Sequence, residues 1–252
     1  MVVDKGYEKA AHLYDLFDTK DNIDFFYHYG KEAKSILDIG AGTGRIAIPL
    51  AEKGVNVVCI EPSPAMRHEF NKKLKNNPNL NKLITLIASD AQSFKLNDLF
   101  SAAFLSGSFD HFSDEEERIS VLNNINNHLK LGGKLVFDIF IGFMRDSPLS
   151  LVDTIKRGEL EYQRFIENRI LPRNKINVRL IYKIIKKGKL IEEIEQKSSA
   201  SIITRNQVHK LLEKTGFKIK NEFRDYNFSP FKEGSPVLII EAIKEKKEKA
   251  IT

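Results

Sequence analysis

The chain has 252 residues, 42% hydrophobic and 29% charged, a composition that can bury a sizeable core and excludes a disordered or fibrous protein. No apolar run approaches the ~18 to 20 residues of a membrane helix, residues 1–20 offer no apolar leader segment, and the single cysteine, Cys59, excludes an internal disulfide or a multi-cysteine metal site. Of the net charge of +6, Lys244–Lys249 supplies +2, and the other lysines are spread as on a solvated surface rather than gathered into a nucleic-acid footprint. A cytoplasmic protein with neither a membrane nor a nucleic-acid partner is expected.

Residues 1–141 alternate short apolar runs with amphipathic stretches, the pattern of βα units around a parallel sheet. A helical pattern over Ala10–Phe17 comes first. Ser35–Ile39 then reads as a buried strand ending at a glycine-rich turn, followed by strands at Val55–Ile60, Leu83–Ala88, Ala102–Leu105 and Lys134–Ile139. Ser63 and Pro64 mark a helix start, and Met66, Phe70 and Leu74 give that helix one apolar face. Ser113 with Glu116 forms a capping box for a helix continued by Ile119, Leu122, Ile125 and Leu129 towards a Gly132-Gly133 turn. Residues 142–203 break the alternation. Glu161–Phe165, Asn177–Ile184 and Leu190–Gln196 alternate apolar and polar side chains, with Lys187-Gly188 as a hairpin turn, so an antiparallel sheet with one wet face is expected. Phe165, Val178, Leu180 and Tyr182 are candidates for its apolar face, which could serve as an acceptor lid or as a homodimer surface. In 204–243, Thr204 caps a helix that Gly216 stops, and Phe217–Phe223 and Val237–Ile243 form a closing strand pair; 244–252 is a charged tail. The expected fold is α/β, a doubly wound Rossmann-like seven-stranded sheet with an inserted antiparallel β subdomain.

The strongest chemical signal is the run Ile36–Arg45, ILDIGAGTGR, at a strand-to-helix junction where open α/β sheets bind ligands. The glycines of this turn, Gly40, Gly42 and Gly44, let the backbone approach a ligand and are expected to aim amide N–H groups at it. The spacing is GxGxG. A dinucleotide fingerprint would need glycine at position 45, which is Arg45, and no GK[ST] follows for a phosphate loop. Asp38 would repel a pyrophosphate but could hold an amino-acid ammonium. Glu61 closes the second strand, where a carboxylate can accept both ribose hydroxyls. Asp90 closes the third, placed for the exocyclic amine of an adenine. An amino-acid end, a ribose and an adenine without phosphate describe S-adenosylmethionine.

Those residues, with VVCIEPSPAM at 57–66, SDA at 89–91, GSFDHF at 107–112, LKLGGKLVFDIF at 129–140 and DYNFSPF at 225–231, resemble the class I S-adenosylmethionine-dependent methyltransferases. The resemblance is to small-molecule types with an antiparallel insertion, including those acting on amino-sugars. One departure is Phe100-Ser101, where the family has Phe/Tyr-Asp entering the fourth strand. The resemblance implies S-adenosylmethionine as cofactor, S-adenosylhomocysteine as product, no metal, and a small-molecule N or O acceptor. It implies cofactor contacts from Tyr14, Asp38, Gly40, Ala41, Gly42, Glu61, Pro62, Met66, Asp90, Ala91 and Ser106. Tyr14 resembles a YD pair that covers the cofactor, with core packing as the alternative; Met66 is first a core residue and second an adenine contact.

His111 follows the fourth strand at the mouth where the sulfonium would point, and is the candidate catalytic base; orienting neighbours is the alternative. His12, His28, His68, His128 and His209 fall on helical patterns without zinc-ligand spacing and read as surface or packing residues. Cys59 faces a strand core. Asp114–Glu117 sit in a helix's first turn, where carboxylates complement the dipole. An RNA or protein methyltransferase and a non-catalytic cofactor-binding protein stand as alternatives.

Overall fold

The computed structural model describes residues 7–17, 20–141, 145–172 and 174–245. Its strands are β1 (Ile36–Ile39), β2 (Val57–Ile60), β3 (Ile84–Ile87), β4 (Phe100–Leu105), β5 (Leu129–Phe140), β6 (Ser147–Arg157), β7 (Leu160–Leu171), β8 (Lys175–Lys186), β9 (Lys189–Ser201), β10 (Phe217–Phe223) and β11 (Val237–Lys244). The helices are α1 (Ala11–Phe17), α2 (Ile23–Gly30), α3 (Ala47–Glu52), α4 (Pro64–Asn76), α5 (Glu115–His128) and α6 (Arg205–Lys214). A seven-stranded sheet runs β10-β11-β5-β4-β1-β2-β3, and β6-β7-β8-β9 make a second sheet. The first five strands are parallel, and β11 pairs antiparallel with β5 and β10.

The large sheet is buried on both faces because its strands are apolar at successive positions. Leu37, Leu135 and Phe137 pack on one side with Leu122 of α5 and Leu212 of α6. Ile36, Phe104 and Val136 pack on the other with Phe26 of α2 and Leu50 of α3. The strand order reverses between β1 and β4, so their carboxyl ends splay apart and open a crevice there.

Three local expectations need correction. First, α5 is capped one residue later than its pattern suggests: Asp114 Oδ1 accepts from the Glu117 amide at 2.8 Å, and the Glu117 carboxylate accepts from the Ser113 amide at 2.6 Å. Ser113 and Glu116 are not the box. Second, Leu129 is not helical but opens β5. Phe100 pairs with Leu129 and Ala102 with Lys134, and the surplus residues bulge at Gly132, whose φ of +74° suits glycine. Third, the insertion has a fourth strand, β6, hidden in the sequence by Pro148. Proline is tolerated there because β6 is an edge.

The three anticipated insertion strands lie inside β7, β8 and β9. Lys187 and Gly188 turn between the last two with φ of +50° and +77°, the handedness that matches strand twist. The apolar face is only partly as expected. Phe165 pairs directly with Ile181, so it lies on the face opposite Val178, Leu180 and Tyr182, among charged pairs such as Lys183–Glu193. The Val178 face turns towards α1, where Tyr182 and Ile194 bury Ala10 and Leu13. Residues 142–144, where the insertion is expected to begin, and 246–252 of the charged tail lie outside the described residues.

Candidate active site

The crevice at the β1/β4 switch holds a cavity of about 330 Å³. Its walls include Tyr14, Gly40, Gly42, Glu61, Pro62, Met66, Asp90, Ala91, Ser106 and His111. A recess beneath, of about 20 Å³, is lined by Asp38, Ala41 and Arg45 and shares Tyr14, Gly40, Gly42 and Ser106 with the cavity. All twelve residues singled out in the sequence thus converge on one crevice. Proximity follows from topology: each sits at the carboxyl end of a parallel strand, on the helix that follows it, or on α1 above them.

The glycine turn behaves differently from expectation. The amides of Gly40 and Ala41 do not face the cavity but donate to the Ile60 carbonyl, at 2.8 and 3.2 Å. Only the Gly42 amide is used towards the site, donating to Glu61 Oε2 at 2.7 Å. Glu61 Oε1 accepts from the Ser63 amide at 2.7 Å, so one carboxylate spans the turn and the start of α4. Each carboxylate oxygen has two lone pairs and can accept more than one hydrogen bond. Asp90 is similar: Oδ1 accepts from the Gln92 and Ser93 amides at 3.0 and 2.8 Å, and the residue borders the cavity.

Asp38 is 2% exposed, and its Oδ2 atom is buried with no partner among the described residues. Burial pushes its carboxyl up to about 7, against the pull of nearby Arg45. An orphaned acceptor beside the cavity floor suits a ligand ammonium. Arg45 donates to Asn22 Oδ1 at 2.6 Å and to Ser106 Oγ at 2.8 Å. Ser106 donates to Asp138 Oδ2 at 3.2 Å, and the Tyr226 hydroxyl donates to the same oxygen at 2.9 Å. Asp138 Oδ1 accepts from the Gly107 amide at 2.6 Å. This network pins the loop after β4 to the end of β5.

Sequence reading missed the fastening of the N-terminal cover. Asp15, beside Tyr14, accepts from the Thr43 hydroxyl at 2.5 Å and pairs with Lys73 at 2.6 Å, tying α1 to the glycine turn and α4. It also missed Tyr7, whose hydroxyl lies 3.1 Å from His111 Nε2. Nothing periodic marks a tyrosine ahead of a helix. Met66 is both a wall and core, 3% exposed on the apolar face of α4. The other histidines lie on helices, as expected. Three of them pack: His128 Nε2 accepts from the Leu96 amide at 3.1 Å, His209 meets Glu222 at 2.7 Å, and the His28 ring centre lies 4.9 Å from that of Phe228. Cys59 is wholly buried, which pushes its thiol well up.

A second chamber of about 220 Å³ adjoins the first. Tyr7, Tyr14 and His111 line both, and the insertion closes the second with Arg164, Leu180, Tyr182, Gln196 and Ser198. Arg164 is held by Asp153 at 2.8 Å through Nε. Leu180 and Tyr182 were expected on the apolar face of the insertion, whereas Arg164, Gln196 and Ser198 could not be found from the sequence, because β7 and β9 present them only once the sheet is folded against α1.

This crevice, with a glycine turn and an acid at each of three strand ends, is that of a class I methyltransferase fold. Residues 36–133 match the family model described as a methyltransferase domain, and the fold is that of class I methyltransferases. The malonyl-[acyl-carrier protein] O-methyltransferase 1 of Ilyobacter polytropus is 26% identical over 176 residues, 66% of this chain and 62% of that protein. The chain therefore matches less than two thirds of that relative's length. The CcbJ methyltransferase from Streptomyces caelestis superimposes with a TM-score of 0.79 at 17% identity, covering 98% of this chain and 100% of the other. The S-adenosylmethionine-bound structure of CalS10, an amino pentose methyltransferase from Micromonospora echinaspora, gives 0.72 at 17% identity, covering 93% and 95%. At these identities the structural likeness establishes the fold. Among the described residues no helix is long and apolar enough to cross a membrane.

Proposed function

We propose that the chain moves a methyl group from S-adenosylmethionine to a nitrogen or oxygen of a small, hydroxylated molecule, by direct in-line displacement. The observation that carries this reading is the pair of adjoining chambers with Tyr7, Tyr14 and His111 as their common wall. A donor in the first and an acceptor in the second would meet at that wall. Three tyrosines with Arg164, Gln196 and Ser198 offer ring faces and hydrogen-bond donors, a lining that suits a polyhydroxylated ring bearing an amine. CalS10, whose substrate is an amino pentose, supports that choice.

When bound, S-adenosylmethionine supplies a sulfonium methyl open to attack by a lone pair from the side opposite sulfur. The chain's own task is to hold and to exclude. Asp38 accepts from the ammonium, Glu61 from the ribose hydroxyls and Asp90 from the adenine amine. His111, its Nε2 3.1 Å from the Tyr7 hydroxyl, takes the proton that an ammonium or hydroxyl acceptor must lose. The insertion and α1 keep competing water from the junction.

The purified chain is expected to bind S-adenosylhomocysteine and not NAD, and to pass labelled methyl to a metabolite extract rich in amino-sugars. Calorimetric binding of NAD without S-adenosylhomocysteine overturns the reading. Retention of label on RNA instead of small molecules turns it towards nucleic acid.

Cofactor binding should also release protons. In the free protein Asp38 holds a proton up to about pH 7; a bound ammonium favours the carboxylate and lowers that value. Affinity for S-adenosylhomocysteine therefore rises with pH through 6 to 7 and levels above, and calorimetry in buffers of different ionisation enthalpy reads up to one proton released near pH 6.5. The sign for folding is opposite. A raised acid stabilises the free fold at low pH and loses that contribution as pH climbs to about 7. Both dependences should be missing from Asp38→Asn; a wild-type affinity flat from pH 5.5 to 8 contradicts the assignment of Asp38.

A further inference from the structure

The insertion leaves the large sheet at the end of β5 and returns at the end of β9, and both roots lie against one pair of opposite charges. Asp110, in the turn that carries His111, accepts through Oδ2 from the Phe140 amide at 3.2 Å; Phe140 is the last residue of β5. Arg118 of α5, 6% exposed, donates through Nη2 to the Ser201 carbonyl at 3.2 Å; Ser201 is the last residue of β9. The Ser201 hydroxyl donates back to the Ser113 carbonyl at 2.7 Å, and the Arg118 guanidinium lies 5.7 Å from the Phe109 ring centre. Asp110 and Arg118 also attract each other.

Each member carries a buried atom, Oδ1 of Asp110 and Nε of Arg118, with no hydrogen-bond partner among the described residues. Leaving such groups inside costs stability, and an apolar pair of the same volume would fill the place more cheaply. Asp138 on β5 faces Asp110, and Asp114 and Glu117 on α5 face Arg118. Neither member lines either of the two adjoining chambers, whereas His111, next to Asp110, lines both.

We propose that Asp110 and Arg118 are positioning residues: the pair clamps the turn bearing His111 to both roots of the insertion, so that the sheet roofing the acceptor chamber and the imidazole in its wall hold one mutual geometry. The role deepens the methyltransferase reading and rests on His111 facing the reacting atoms. It explains why a group as costly as a buried carboxyl, pushed by burial up to about 7, stands beside the candidate base.

The test uses the full chain and no acceptor. Asp110→Asn keeps an oxygen for the Phe140 amide but removes the charge. In protein labelled at its six histidines, with the His111 signal assigned by its loss in His111→Gln, the His111 titration midpoint should fall by up to about half a pH unit. The size is limited because Asp110, raised to about 7 by burial, is only partly charged where an imidazole titrates. Arg118→Lys keeps the charge and loses the reach to Ser201. Hydrogen exchange should then quicken about tenfold together in peptides covering 105–112 and 195–203, and not in β1 or β2. S-adenosylhomocysteine affinity should stay within twofold in both variants. An unmoved midpoint in folded Asp110→Asn overturns the clamp, as does loosening of 195–203 without 105–112. If Asp110→Asn does not fold, Arg118→Lys decides alone. Failure of the methyltransferase reading shows separately, as wild-type protein that does not bind S-adenosylhomocysteine.

Discussion

Replacing Glu61 with alanine should weaken S-adenosylhomocysteine binding by about 2 to 4 kcal/mol, because it removes the two charge-assisted hydrogen bonds proposed for the ribose. Glu61 is 6% exposed, so solvent offers its partners little compensation. The structure adds a second contribution. The same carboxylate accepts from the amides of Gly42 and Ser63, and alanine leaves both donors without an acceptor at the cavity wall. Glu61→Gln separates the two effects: it retains one carbonyl oxygen but sets an amide donor against one of those N–H groups. Its loss should fall between wild type and alanine. Calorimetry at 25 °C measures the affinities, with thermal unfolding as the check on folding. Wild-type affinity in a folded Glu61→Ala protein would mean that the ribose lies elsewhere.

The largest effect on stability is expected from Gly44→Ala. Gly44 has φ of +85°, and a Cβ built there would stand 2.5 Å from Cε2 of Phe70. The Phe70 ring is wholly buried, so it has no exposed space into which to swing. A left-handed alanine costs roughly 1 to 2 kcal/mol, and forcing a methyl into a filled core costs roughly 1 to 3 more. A total of about 2 to 5 kcal/mol lowers the melting temperature of a chain this long by roughly 4 to 20 °C. Gly42→Ala is the control. Its φ is +57° with nothing within 4 Å of the added methyl, so only the conformational cost of about 1 to 2 kcal/mol applies. Equal melting temperatures for the two variants would mean that Phe70 yields to Gly44→Ala at no cost.

The cofactor half was legible because its signals are local. The strand cores are continuous apolar runs, Ser63 and Thr204 cap their helices within four residues, and Gly40, Gly42 and Gly44 all adopt positive φ. Asp38, Glu61 and Asp90 could be placed together in advance since parallel strands joined by helices bring their carboxyl ends to one edge. Where local signals misled, the reading slipped: Ser113 with Glu116 fits the spacing of a capping box although Asp114 is the cap, and Leu129 fits the helix spacing although it begins β5.

What the sequence determined by itself was the fold class and the placing of Asp38, the glycine turn, Glu61 and Asp90 at neighbouring strand ends, because these follow from hydrophobic period, glycine geometry and the handedness of βα units. Tyr14, Pro62, Met66, Ala91 and Ser106 were named through the family resemblance. The tertiary structure alone decided the second chamber, the latch from Asp15 to Thr43, the bond between Tyr7 and His111, and the face on which Phe165 lies. Each depends on register or on contact between segments far apart in the chain, 104 residues in the case of Tyr7 and His111. A one-residue change of register turns a side chain to the opposite face. No local pattern carries that choice; it is made when the insertion packs against α1, burying Tyr182 and Ile194 against Ala10 and Leu13.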